Sequence, residues 1–199
     1  MPRSTFQTDE SAGIRIVRLC SDDGTNRLTA DLVRSLSQAF DQWSSAKIPV
    51  ILTGNEKFFS AGADLQEIVA LNGPSALEFS KIGQHLMQLV ENFPAPVFAA
   101  ISGYCMGGGL DLALACHRRV SSTHAIFGHR GAALGLITGW GGTQRLPRLI
   151  GKAKAIEMFV AAEKLTAQQG VGIGLIDAVA ADPIAEAFHR IRSSASALP

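Results

Sequence analysis

Two glycine-containing turns are the places in this chain where residue type and spacing suggest chemistry: SAGAD at 60 to 64 and MGGGLD at 106 to 111. Each opens a helical pattern, so each presents backbone N–H groups that have no partner inside their own helix. Two such donors converging on one oxygen would make an oxyanion hole, and the bare Cα atoms of Gly107 to Gly109 would let a ligand carbonyl approach the backbone closely. Glycine alone leaves a second reading open, in which these positions only allow a helix to pack tightly on a strand.

Other chemistries lack their patterns. GYCMGGG has neither the order of a phosphate-binding G-x-x-x-x-G-K-[ST] loop nor that of G-x-G-x-x-G. Ser60 in FFSAG and Ser102 in AISGY do not sit in the G-x-S-x-G elbow of serine hydrolases. Histidines 85, 117, 124, 129 and 189 form no H-E-x-x-H motif and have no carboxylates at ligand spacing, so no metal is expected. Cys105 follows a buried strand, where a small apolar filler is expected rather than a thiol nucleophile.

The elements that must position the two turns can be read from periodicity. Ile14 to Leu19 is a β-branched run, followed by a helix with Leu32, Leu36, Phe40 and Trp43 on one side and Thr29 as its N-cap. Pro49 to Leu52 leads into the first glycine turn. A helix from Pro74 then places Phe79, Ile82, Leu86, Leu89 and Phe93 on its core face and stops at Pro94, with His85 and Gln88 off that face. Val97 to Ile101 is a buried strand running through the second glycine turn into GGLDLALAC. Strand-like pieces follow at 119–122 and 125–127, then the glycine-rich GAALGLITGWGG and a helix from Lys152 to Ala162. Asp182 and Pro183 start a last helix carrying Ile184, Phe188 and Ile191, and SSASALP reads as a frayed end. The alternation of strands and helices predicts an α/β fold with buried strands, and residues 1–199 read as one domain, with a core over about 8–180 and a short helical tail over about 182–199.

Composition sets outer bounds. The 199 residues carry a net charge of +1, are 47% hydrophobic and 18% charged, and contain no lysine–arginine run, which argues against nucleic acid and anionic membrane as partners. Cys20, Cys105 and Cys116 show no C-x-x-C spacing, and neither a signal peptide nor a membrane-spanning run is read. A reduced, cytoplasmic location is the expectation.

The segments FFSAGADLQEI, PVFAAISGYCMGGGLDLALAC, AIFG, GLITGWGGTQRLPRLIGKAKAIEM, AAEKLTAQQ and IGLIDAVA resemble the enoyl-CoA hydratase/isomerase family, also called the crotonase family, over roughly residues 13 to 185. The resemblance implies a crotonase-like spiral of strand-strand-helix units, usually assembled as a homotrimer or a hexamer. It also implies an acyl-CoA thioester as substrate, with no cofactor beyond that thioester and no metal. An enolate would be held by the backbone N–H groups of Ala63 and Gly108, with Ala61, Asp64, Leu65 and Gly107 beside them at the substrate.

By the same resemblance, two glutamates handle protons in the family's hydratases. The first position is Asp111 here, which keeps the acid but shortens it by one methylene. The second falls on Gly131 in FGHRG, which carries no acid and leaves open a backbone with φ > 0. His129 and Arg130 flank the gap on what reads as a solvated loop, with His129 able to substitute as base if the loop turns it inward. Relatives often carry a basic residue where this chain has Gln66, so Arg27 or Lys57 is the expected source of phosphate contacts, and the end at Pro199 shortens a helical tail that would enclose the acyl group. With one carboxylate, a proton shift or a decarboxylation suits the site better than hydration. The alternatives are a catalytically impaired acyl-CoA-binding homologue, a partner subunit of an active relative, or a thioester hydrolase whose water is positioned by Asp111 or His129.

Overall fold

The computed structural model describes residues 3–195. In chain order the elements are β1 (Ser4–Ser11), β2 (Ile14–Ser21), β3 (Arg27–Leu28), α1 (Ala30–Trp43), β4 (Val50–Thr53), β5 (Phe58–Ser60), β6 (Gly62–Ala63), α2 (Leu65–Val69), α3 (Gly73–Glu91), β7 (Val97–Ile101), β8 (Tyr104–Met106) and α4 (Gly108–Ala115). They continue with β9 (Arg118–Ser121), β10 (Ile126–Gly128), a 3₁₀ turn (Gly131–Leu134), α5 (Gly142–Ile150), α6 (Lys152–Ala161), β11 (Leu165–Thr166), α7 (Ala167–Gly172), β12 (Ala178–Val179) and α8 (Pro183–Ala195).

Strands alternate between two sheets. The larger has the order β1-β2-β4-β7-β9-β12, the smaller β11-β10-β8-β5, and β3 pairs with β6. Each repeat therefore places one strand in the large sheet, the next in the small sheet, and then a helix: β4–β5–α3, β7–β8–α4, β9–β10–α5. This is the strand-strand-helix succession that the sequence resemblance implies. β4, β7 and β9 are parallel neighbours, as are β5, β8 and β10. Val50 to Leu52 and Val97 to Ile101 are fully buried, as continuous apolar strands between two layers must be. The main core includes Leu36, Phe40, Phe59, Leu86, Leu110 and Phe127, while a smaller cluster around Phe98, Val120 and Ile191 lies under α8.

Most helix signals act as the sequence predicts. Thr29 accepts the Leu32 N–H, Asp182 accepts the Ile184 and Ala185 N–H groups, and α3 begins one residue before Pro74 with Asn72 and Ser75 capping each other. Several elements were not read from the sequence, among them β1, α5 and α7. β1 is a polar, exposed edge strand closed onto β2 through Ala12 and Gly13, both at positive φ as a two-residue hairpin requires. α5 begins at Gly142, the last residue of the stretch read as glycine-rich, runs to Ile150 and contains Pro147. At the C-terminus, residues 193–195 continue α8 instead of fraying, and the rest of the expected tail, 196–199, lies outside the described residues.

One packing contact joins α3 and α4 through the loop before α5. The indole of Trp140 lies against Gly83 of α3 and Gly108 of α4, stacks on Phe79 at 5.1 Å, and donates from Nε1 to the Phe79 carbonyl at 3.0 Å. A Cβ at Gly83 would stand 2.1 Å from the indole. Helix propensity alone would favour Gly83→Ala by about 1 kcal/mol. Overpacking instead predicts that Gly83→Ala loses about 1–3 kcal/mol of stability, with a change in tryptophan emission. Equilibrium urea unfolding followed by fluorescence checks the sign; a stabilised variant would mean that the indole has room to retreat.

Candidate active site

A cavity of about 640 Å³ opens between the two glycine turns, the 3₁₀ turn, and the helices α2 and α3. Its wall at the turns consists of Ala61 to Ala63 on one side and Gly107 and Gly108 on the other. These segments meet backbone to backbone. A Cβ on Gly62 would stand 2.6 Å from the Met106 carbonyl oxygen and 3.1 Å from the Gly108 nitrogen, and a Cβ on Gly108 would stand 3.2 Å from the Ala63 nitrogen. Gly62 and Gly107 lie at φ +98° and +50°, where side chains are disfavoured. These glycines therefore pack the two turns tightly, and the packing brings the backbone nitrogens of Ala63 and Gly108 close together.

Asn26, which the sequence reading passed over, pins the first turn. Fully buried at φ +54°, it donates from Nδ2 to the carbonyls of Phe58 and Phe59, while its own carbonyl accepts from Ser60 Oγ at 2.6 Å. Ser60 Oγ in turn accepts the Gly62 N–H. Ser60 is thus a structural hydroxyl, and Cys105 is a buried filler.

Asp111 sits in the first turn of α4, 1% exposed, and among the described residues is the only carboxylate lining the cavity. Thr138 Oγ1 donates to its Oδ2. Its Oδ1 stands 3.3 Å from His129 Nε2, yet neither atom makes a hydrogen bond. There is room for this arrangement because Gly142 lacks a Cβ, which would lie 2.2 Å from Oδ1. Burial pushes the Asp111 carboxyl up to about 7, against the opposing pull of the Thr138 hydroxyl, Arg145 and the Trp140 backbone. Burial also lowers the His129 imidazole to about 4.

Several expectations change here. His129 is not on a solvated loop: it is 4% exposed, lines the cavity and packs on Phe159 at 5.2 Å, whereas Arg130 is exposed. Gly131 does lack a side chain at the cavity, but it is not at positive φ; what excludes a side chain is the Leu136 carbonyl oxygen, 2.7 Å from the position a Cβ would take. Leu65 and Gly107 line the cavity with Ala61 and Ala63, but Asp64 does not. Its carboxylate caps α2 by accepting the Gln66 N–H at 2.8 Å and lies 3.8 Å from Arg27. Arg27 is also paired with Asp23, and the cations that line the cavity are Arg130 and Lys164, the latter over the Tyr104 ring. Thr138, Trp140 and Lys164 had no sequence signal of their own, because each is brought to the cavity by a loop of irregular geometry. Among the described residues no group of three or more His, Cys, Asp or Glu side chains could hold a metal ion, and no helix is long and apolar enough to cross a membrane.

The raised Asp111 pKa links stability to pH. At Asp111 the folded state binds a proton that the unfolded chain releases near 4, so the contribution of this carboxyl to stability falls as pH rises from about 4 to about 7 and then levels, while the lowered His129 contributes in the opposite sense in both wild type and variant. Asp111→Asn stays neutral and lacks this loss. It should match the wild type near pH 4 and exceed it by on the order of 2–4 kcal/mol at pH 8. Denaturant melts at the two pH values test this, and equal pH dependence of the two proteins would remove the buried-carboxyl assignment.

Residues 9–198 match the family model described as enoyl-CoA hydratase/isomerase. A Bacillus subtilis (strain 168) protein named a probable enoyl-CoA hydratase is 39% identical over 175 residues, 86% of this chain and 67% of that protein. A short-chain-enoyl-CoA hydratase of Clostridium acetobutylicum is 32% identical over 174 residues, again covering 86% and 67%. The crystal structure of enoyl-CoA hydratase from Bacillus anthracis superposes with a TM-score of 0.90 at 34% identity, over 96% of this chain and 76% of that one. A match that runs along nearly the whole chain, and not along one glycine motif, makes this protein a member of the enoyl-CoA hydratase/isomerase, or crotonase, family of enzymes, with the crotonase fold.

Proposed function

We propose that the cavity binds an acyl-CoA thioester and stabilises its enolate between the backbone N–H groups of Ala63 and Gly108, with Asp111 as the acid/base, and that it carries out a proton shift or a decarboxylation in preference to hydration. The observation that carries this reading is that Asp111 is, among the described residues, the only carboxylate on the cavity wall while Gly131 has no side chain to offer. An enolate oxygen bears a full developing charge, and losing one preorganised donor to such a charge costs about 3–4 kcal/mol, so two amides converging on it are a strong device. A carboxyl held near 7 is matched to taking a proton from carbon and returning it at neutral pH. Hydration asks more, since one group must deprotonate water while another protonates carbon.

Ala61, Leu65, Gly107 and the apolar wall formed by Phe79, Leu136 and Trp140 would hold the thioester and acyl chain, and Arg130 and Lys164 are placed for the phosphates of the coenzyme. No cofactor besides the substrate's own coenzyme enters this scheme. Free Cys20, Cys105 and Cys116 fit a cytoplasmic enzyme. A homotrimer or hexamer is part of the reading, and Ile156 and Val160 on α6, 60% and 73% exposed, are apolar surface that such an assembly would cover.

The test is a comparison of rates on defined thioesters: 3-butenoyl-CoA for isomerisation, malonyl-CoA for decarboxylation and crotonyl-CoA for hydration, with C2–H exchange of butyryl-CoA in D₂O reporting the enolate directly. Isomerisation or decarboxylation should exceed hydration. Hydration at the leading rate would remove the proton-shift preference, and binding without any exchange would favour the catalytically impaired homologue. Asp111→Asn should lower isomerisation by about a hundredfold or more while butyryl-CoA binding changes little. Because the active form is the carboxylate, wild-type isomerisation should rise as pH climbs through about 7 and then level. A flat profile from pH 5 to 9 would assign the proton transfer to another group.

A further inference from the structure

Two buried polar atoms in the cavity wall face each other with nothing between them. Asp111 Oδ1 and His129 Nε2 are 3.3 Å apart, both sealed from solvent, and both without a hydrogen-bond partner. A gap of this kind is costly unless something completes it. One proton would: with the neutral ring protonated on Nδ1, a proton taken up on Oδ1 and donated to Nε2 satisfies both atoms at once. Asp111 Oδ2 already accepts from Thr138, and Arg145, the cation acting on the carboxyl from α5, is committed to Glu91 and the Trp140 carbonyl. The other ring nitrogen, Nδ1, makes no hydrogen bond to any described residue and is not among the sealed atoms, so it is the nitrogen left to the cavity. Neither Arg130 nor Lys164, the other charged groups lining the cavity, pairs with the ring.

We propose that His129 is a second catalytic residue, coupled to Asp111 across the Oδ1–Nε2 gap, and that it delivers a proton to the substrate carbon from Nδ1. The proposal rests on the enolate reading given above. In a 3-enoyl thioester the C2–H bond breaks, its proton forms an O–H bond on Asp111, and the electron pair moves onto the thioester oxygen as a dienolate. The dienolate then collapses: the carbonyl re-forms, the double bond moves to C2–C3, and a C4–H bond forms with the proton from His129 Nδ1. At the same time Nε2 takes the proton held by Asp111. Both groups regain their starting charge, the ring is left as its other tautomer, and exchange with water resets it. The histidine thus gives the site a second point of proton delivery and lets removal and return occur at carbons that one short carboxylate does not reach equally.

The experiment uses the intact protein in D₂O with 3-butenoyl-CoA for the full shift and butyryl-CoA for C2 exchange alone. In the wild type, the delivered hydrogen comes from an exchangeable nitrogen, so the crotonyl-CoA product should carry deuterium at C4 from the first turnover. Protium retained at C4 would mean that a single group moves the same proton, and would overturn the proposal without needing any variant to fold. In His129→Gln and His129→Asn, the ratio of isomerisation to C2 exchange should fall about a hundredfold, whereas in Asp111→Asn both activities should fall together. A role for His129 in packing alone would lower exchange and isomerisation in step, with weaker butyryl-CoA binding, and an unchanged ratio overturns the proposal. If the wild type shows no C2 exchange at all, the enolate reading itself fails and this inference falls with it.

Discussion

The contact on which the site depends is the backbone-to-backbone approach of the two glycine turns. Gly62 lies so close to Met106 and Gly108 that a single methyl group would separate them, and Gly109 is equally close to Ser60. That contact fixes the distance between the amides of Ala63 and Gly108, and through α4 it fixes the direction in which Asp111 leaves its helix. Its cost is paid in conformational freedom, and it is met by neighbours rather than by the turns themselves: Asn26 and Ser60 tie the first turn to the chain before α1, and the Gly107 N–H donates to the Gly128 carbonyl, tying the second to β10. The small sheet formed by β5, β8 and β10 is in effect a frame whose successive strands each end at the cavity.

What could be read from the sequence divides along physical lines. Buried strands such as Val97 to Ile101 are continuous apolar runs, and capped helices such as α1 and α8 carry their signals within a few residues, so local chemistry decides them. β1 was missed because an exposed edge strand has no apolar face to show, only Phe6 among eight residues being a large hydrophobe. α5 was missed because Pro147 and the preceding glycines argue locally against a helix that packing on α4 and α6 sustains. The glycine turns and Asp111 were visible as motifs, but the inward turn of His129 was not. Exposure preferences speak for histidine as a class, while its burial here is decided by Phe159 on α6, thirty residues along the chain.

The loop after β10 couples the bare backbone at Gly131 to the inward histidine. Gly131 accepts the Leu136 N–H at 2.8 Å through its own carbonyl, and the Leu136 carbonyl oxygen occupies the space a Cβ on Gly131 would need, so the segment closes tightly on itself. A glutamate at 131 would force that ring of backbone open. With the ring closed, His129 precedes it on the cavity wall and Thr138 follows it, and the two reach Asp111 from opposite ends of the same loop, one facing Oδ1 and the other bound to Oδ2.

That arrangement also gives a reason for aspartate where a longer acid would be expected. The carboxylate is confined between Thr138, His129 and the bare Cα of Gly142, a space in which one more methylene would drive the oxygens into the ring or the backbone. The confinement excludes water and raises the carboxyl to about 7, so the same packing that shortens the acid also tunes it. Asp111, Gly131 and the inward His129 are therefore parts of one packing arrangement distributed over α4 and the 129–138 loop. Enlarging any one of the three alone would take the space or the partner that the present conformations of the others require.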